Sequence, residues 1–180
     1  MFPNEVHGRD RMTSAGLLMF RRSAGANAPR IDVFLIHPGG PFFRNKDDGY
    51  WGIPKGMAEQ GEELLETAIR EFHEEVGIPA NGPYIGLGQI RQKSGKIVHA
   101  WAFETTPDRV VTVRSNLYQM EWPRGSGRLV TVPEADAGRF FDIATARRKI
   151  NAAQAEFLDR LLAHLAGNGR RSVTGADELR

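Results

Sequence analysis

The 180-residue chain predicts an α+β fold, and three observations carry that reading. Continuous apolar runs of strand length, at residues 15–20 and 31–37, are each closed off by turn-forming residues. Two more strand-like runs, at 85–91 and 97–103, are joined by Lys93, Ser94, Gly95 and Lys96, which reads as an antiparallel hairpin. Between and after these strands, apolar residues recur at helical spacing instead. Strands and helices are mixed and much of the pairing is antiparallel, so the expected architecture is an α/β/α sandwich.

Taken in order, residues 1–11 are polar and aperiodic and read as a tail, with Met12 beginning the folded part. Residues 15–20 form a buried strand, 25–29 a turn, and 31–37 a second strand ended by His37, Pro38, Gly39, Gly40 and Pro41. Trp51, Gly52, Ile53, Pro54, Lys55 and Gly56 read as a strand end running into a loop. Leu65, Ile69, Phe72 and Val76 recur at helical intervals and mark a core-facing stripe. Glu62 and Glu63 then fall in the first helical turn, where negative charge complements the helix dipole. Gly77 is the expected C-terminal cap, with Pro79 preventing continuation. Residues 117–122 suggest another strand and 123–127 a loop. Phe140 and Phe141 precede one long helix over about 143–165, with Ile150, Phe157, Leu161 and Leu165 in period. From Gly167 onward the composition favours a disordered tail, which leaves one domain over 12–166.

Composition narrows the function classes. Apolar residues make up 41% of the chain, which suits a single globular domain. There is no cysteine, so disulfides, thiolate chemistry and zinc–sulfur sites are excluded. The formal charge is only +2 and no basic run stands out, so nucleic-acid binding is not implied. No apolar run approaches membrane-spanning length and the N-terminus lacks signal-peptide form, so a cytoplasmic enzyme is expected.

The most informative feature is Glu71, Glu74 and Glu75, spaced i, i+3, i+4 and therefore on one helical face. Like charges this close repel. A divalent cation reverses the balance, because carboxylate oxygens are preferred ligands of Mg²⁺ and Mn²⁺. A purely solvated acidic face is the competing reading. The flanking residues decide against it: Gly56, Glu62, Arg70, Glu71, Phe72, Glu74, Glu75, Gly77 and Ile78 fill every specified position of G-x5-E-x7-R-E-U-x-E-E-x-G-U, where U is bulky and apolar. In this the chain resembles the Nudix hydrolase family.

The resemblance implies a mixed sheet clasped between helices and cleavage of the pyrophosphate bond of a nucleoside diphosphate derivative. It implies Mg²⁺, with Mn²⁺ as a substitute, held by Glu71, Glu74, Glu75 and the Gly56 carbonyl. Glu71 is the first choice as general base. Arg70 is assigned to ion pairing that fixes the loop and the glutamates. Glu62 either supports that loop or is simply a helix-start carboxylate. A glutamate from a later loop also serves in the family, and the candidates here are Glu121 and Glu134, with Asp136 behind them; a surface role is an equal alternative for each. Lys55 either meets a substrate phosphate or faces solvent, and Trp51 either stacks on a nucleobase or lies in the core. Arg44, Lys46 and Arg91 are candidates for a basic rim, and His37, His73 and His99 are not expected to bind metal. By the same resemblance, homodimers are expected. Outside the conserved-spacing stretch the chain resembles bacterial nucleoside triphosphate pyrophosphohydrolases, which points to a nucleoside triphosphate or a dinucleoside polyphosphate. The alternative is a Nudix-fold nucleotide sensor that binds without cutting.

Overall fold

The computed structural model describes residues 13–24 and 30–171, with side chains described as far as residue 167. The expected tail at 1–11, the expected domain start at Met12, the expected turn at 25–29 and residues 172–180 of the expected tail at 167–180 lie outside the described residues. Strand β1 (Thr13–Ser23) is the axis of the main sheet. It pairs antiparallel with β2 (Arg30–Pro38) and with the short β3 (Lys55–Met57). It pairs parallel with β5 (Ile97–Thr105), which continues antiparallel into β4 (Ile85–Arg91). On the far side, β2 pairs antiparallel with β8 (Ala135–Asp142). The order is therefore β4-β5-β1-β2-β8, with β3 beside β1, and β6 (Leu117–Glu121) pairs with β7 (Leu129–Pro133) as a separate ribbon.

The unbroken apolar run of β1 is explained by burial on both faces. Side chains alternate across a strand, and two cores result. Ala15, Leu17 and Met19 pack with Phe34, Phe103 and the helix α1 (Leu64–Val76) through Ala68, Phe72 and Val76. Leu18 and Phe20 face the other way, onto Phe157, Leu158 and Leu161 of helix α3 (Ala155–Arg171). A sheet covered by helices on both faces reads as continuous hydrophobic strand rather than as alternation. Among the described residues, no helix is long and apolar enough to cross a membrane.

Three sequence expectations need correction. The single helix over 143–165 is two helices: α2 (Ile143–Lys149) stops at Ile150, which is extended at φ −70°, ψ 147°. A one-turn 3₁₀ segment, Ala152–Gln154, follows. The Asn151 side chain accepts from the Ala153 N–H while its own N–H donates to the Trp51 carbonyl at 2.7 Å. A local cap and a tertiary bond together outweigh helical periodicity here. Second, strands β7 and β8 were not expected, and Phe140 and Phe141 lie inside β8 rather than ahead of a helix. Third, α3 runs on to Arg171, into the segment assigned to the tail, because extending a formed helix costs far less than nucleating one.

The α1 face is the tightest test of this packing. Phe72 is fully buried and meets Phe103 edge-on at 5.2 Å between ring centroids. Phe72→Ala is expected to lower unfolding free energy by about 3–5 kcal/mol in urea titration. A loss below about 1 kcal/mol would show that α1 is not anchored through this ring.

Candidate active site

The site begins where β3 lies against α1. Gly16 lets Pro54 and Lys55 lie close on β1: a Cβ there would stand 2.4 Å from the Pro54 carbonyl oxygen and 2.6 Å from the Lys55 Cβ. Gly56 is closer still to its neighbour. A Cβ at Gly56 would overlap the Glu71 carboxyl group, at 1.9 Å from Cδ and 2.0 Å from Oε2. The backbone of the β3 turn is thus pressed directly onto a helix carboxylate, which only glycine permits.

Arg70 fastens the two elements together. Its Nε and Nη2 donate to Glu62 Oε1 and Oε2 at 2.9 and 3.0 Å, a bidentate fork. Nη2 also donates to the Met57 carbonyl at 3.2 Å, and Nη1 donates to Glu71 Oε1 at 2.8 Å and Glu74 Oε2 at 3.4 Å. The Arg70 fork holds the Glu62 carboxyl down to about 2, well below the usual glutamate value. Glu62 Oε2 additionally accepts from the Glu59 N–H at 3.0 Å, so this residue braces the loop. It does so from outside the helix, contrary to its expected place in the first turn. The helix starts at Leu64, with Glu63 as an extended N-cap at φ −69°, ψ 136°.

The remaining carboxylates sit in a more hostile environment. Burial raises the Glu71 carboxyl above its ordinary value, the neighbouring charges of Glu74 and Glu134 add to this, and Arg70 opposes it. Burial pushes Glu75 up to about 7, even though Lys55 stands close and its N–H donates to Glu75 Oε2 at 2.6 Å. Lys96 is lowered, first by burial and then by repulsion from Lys55. Lys55, Glu75, Lys96 and Glu134 line one cavity of about 210 Å³. Glu74 is the outlying member, its side chain 37% exposed and turned toward Arg70.

Several candidates separate cleanly. Of the later-loop acids, Glu134 reaches the cavity. Glu121 lies out on the β6–β7 ribbon and accepts from the Gly127 N–H, and Asp136 is bonded to His37 Nδ1 at 2.8 Å. Trp51 is 6% exposed and packs in the core, its Nε1 donating to Asp47 at 2.8 Å, yet it also lines the cavity wall beside its exposed neighbour Tyr50. Lys46 stacks on Phe42 and Tyr50, while Arg44 and Arg91 are surface groups outside the cavity lining. His73 is exposed, and burial lowers the pKa of His99. Lys96 was not singled out from sequence. It precedes Ile97, which pairs with Thr13 at the end of β1 where Met57 pairs with Ser14, so only strand register brings it in.

Among the described residues, no three acidic or histidine side chains stand together as a ready metal cage. Arg70 draws Glu71 and Glu74 to one side and the Lys55 N–H draws Glu75 to the other. The donor chemistry nonetheless suits a hard divalent cation. It offers carboxylate oxygens on one helical turn, desolvated and mutually repelling, beside a glycine with no room for a side chain.

The NUDIX domain family model matches residues 10–161. The asymmetrical bis(5'-nucleosyl)-tetraphosphatase of Rattus norvegicus is 33% identical over 101 residues, 52% of this chain and 65% of that protein. The RNA pyrophosphohydrolase of Wolbachia pipientis subsp. Culex pipiens is 40% identical over 52 residues, 27% of this chain and 32% of that protein. The chain therefore spans less than two thirds of the length of these curated relatives. Among solved structures, a C. elegans Ap4A hydrolase binary complex superposes with TM-score 0.60 at 21% identity, covering 86% of this chain and 98% of that one. The NUDIX domain of Shewanella oneidensis NrtR, complexed with ADP ribose, gives TM-score 0.62 at 12% identity, covering 91% and 94%. At these identities the likeness is one of fold.

The raised Glu75 carboxyl carries a pH signature. Its folded value of about 7 exceeds the ordinary 4.5, so the protonated form favours the fold. That contribution is complete below pH 4.5 and is lost as pH climbs through 7, by up to about 3 kcal/mol. In EDTA, the wild type should lose thermal stability between pH 5 and 8 relative to Glu75→Gln. Parallel melting profiles for the two proteins would contradict the burial of this charge.

Proposed function

This chain belongs to the NUDIX domain family, and on that premise we propose that it is a divalent-metal-dependent hydrolase cutting a pyrophosphate bond of a nucleotide. The substrate class is a nucleoside triphosphate or a dinucleoside polyphosphate. The observation that carries the reading is the convergence at one cavity of Glu75, Glu134, Lys55 and Lys96, with Glu71 pressed on Gly56 beside them. The matched stretch of the rat tetraphosphatase supports the same class of substrate. We infer a cytoplasmic enzyme.

Glu71, Glu74, Glu75 and the Gly56 carbonyl would hold Mg²⁺ or Mn²⁺, which supplies charge neutralisation to a pyrophosphate. The chain's own groups do the rest. Lys55 and Lys96 present ammonium groups to the phosphate oxygens from two different elements, which orients the anhydride in the cavity. Arg70 donates to Glu71 Oε1, and the Glu71 carboxylate is the group that takes a proton from attacking water. Glu134 lines the cavity as a second acceptor, and its charge adds, after burial and Glu74, to what raises the Glu71 carboxyl. Arg70 contributes by positioning, since all five of its bonds go to protein groups.

Purified protein incubated with Mg²⁺ and a nucleotide panel in ¹⁸O-labelled water should release a phosphate-bearing product carrying one ¹⁸O. Nucleotide binding without any product would instead identify a sensor. Glu71→Gln should lower kcat by on the order of 10²–10⁴-fold, with little change in melting temperature. Near-normal turnover in that variant would remove Glu71 from the proton transfer.

A further inference from the structure

The 210 Å³ cavity lined by Glu75 and Glu134 is small: sites that enclose a drug-sized ligand run to about 300–1,000 Å³. It has room for a pyrophosphate but not for a whole nucleotide. A second cavity, of about 510 Å³, adjoins it and shares two wall residues, Gln92 and Asn151. Its walls are the β4–β5 turn, through Lys93 and Ser94, and the segment between α2 and α3, through Ala152 and Ala153. We propose that this second lobe receives the nucleoside end of the substrate while the acidic lobe receives the pyrophosphate. The inference rests on the nucleotide-hydrolase reading above and names the subsite within it.

The chemistry of the lining favours a nucleoside over a bare anion. Two of its cations are already committed, Arg147 to Asp159 and Arg148 to Asp48, so they offer no unbalanced charge. Lys93 also lines it, exposed to solvent, where it can attract the phosphate chain as it enters. The floor is made of small and apolar residues (Gly49, Ile150, Ala152, Ala153), against which a flat base can lie. The amides of Gln92 and Asn151 sit at the junction of the two lobes. Each amide carries both donors and acceptors, the pairing that sugar hydroxyls and base edges require. The Asn151 oxygen accepts from the Ala153 N–H at 3.0 Å, which leaves its NH₂ for a ligand acceptor. Orientation follows from topology: the β4–β5 turn ends at Lys96 in the acidic lobe, so one short segment spans both halves of the substrate.

The test blocks the second lobe from either wall. Ser94→Trp and Ala152→Trp each place an indole in it at an exposed position, and intact folding is verified by melting temperature. Binding of a non-hydrolysable adenosine triphosphate analogue and of inorganic tripolyphosphate is measured by calorimetry with Mg²⁺. Both variants should weaken the nucleotide by about tenfold or more, and tripolyphosphate should bind as it does to the wild type. Unchanged nucleotide affinity in the folded variants, equal loss of both ligands, or no nucleotide binding by the wild type would each overturn the assignment. Absence of hydrolysis by a wild type that still binds the analogue would sink the catalytic reading alone, since the binding comparison remains decisive for the lobe.

Discussion

A single guanidinium, that of Arg70, holds the functional half of this molecule in register. It joins a loop carboxylate, Glu62, to a loop carbonyl, that of Met57, and to two helix carboxylates, Glu71 and Glu74. Isolated surface ion pairs contribute little. This one differs because it is bidentate, partly buried and part of a network, and bonds between ionised groups are the stronger kind. Besides it, the short β3 pairing and the Lys55 N–H bond to Glu75 fix the height of the Gly56 turn over α1. The backbone of that turn must stay within touching distance of Glu71 for the site to exist at all.

The sheet explains why the charged groups meet at one end. Strand β1 carries β3 on one side and β5 on the other, so Lys55 and Lys96 reach the same cavity from elements forty residues apart in sequence order. On the opposite flank, β8 pairs with β2 and shifts register at His37 and Pro38. Glu134 stands just ahead of that strand, its N–H bonded to the Asn116 carbonyl at 2.9 Å, and turns into the cavity. A crowd of carboxylates is thereby faced with two ammonium groups, an arrangement that a polyphosphate and a divalent cation can enter together. The cost of assembling it is visible in the raised carboxyls of Glu71 and Glu75.

What the sequence disclosed and what it withheld divide along local and nonlocal lines. Helix α1 and its acidic edge were legible because the apolar period and the spacing of Gly56, Arg70 and the glutamates are written within one short segment. Strands β1 and β2 were legible as continuous apolar runs. The break at Ile150 was hidden because Ile150, Phe157 and Leu161 keep helical period on either side of it, although Asn151 is itself a recognisable cap. Choosing Glu134 over Glu121 needed the β6–β7 ribbon, which points Glu121 outward, and the burial of Trp51 needed its contacts with His37 and Phe141. Lys96 carries no local signal, since its place depends on the parallel pairing of β5 with β1.

The proposed function reduces to one expectation: the turn at Gly56 and the helix carrying Glu71 and Glu75 would together seat a divalent ion. The most direct measurement is anomalous diffraction from crystals of the protein soaked in Mn²⁺. The expected result is a strong anomalous peak bounded by Glu71, Glu75 and the Gly56 carbonyl, lost in crystals of Glu75→Gln. A peak confined to other surfaces, or none at millimolar Mn²⁺, would contradict it.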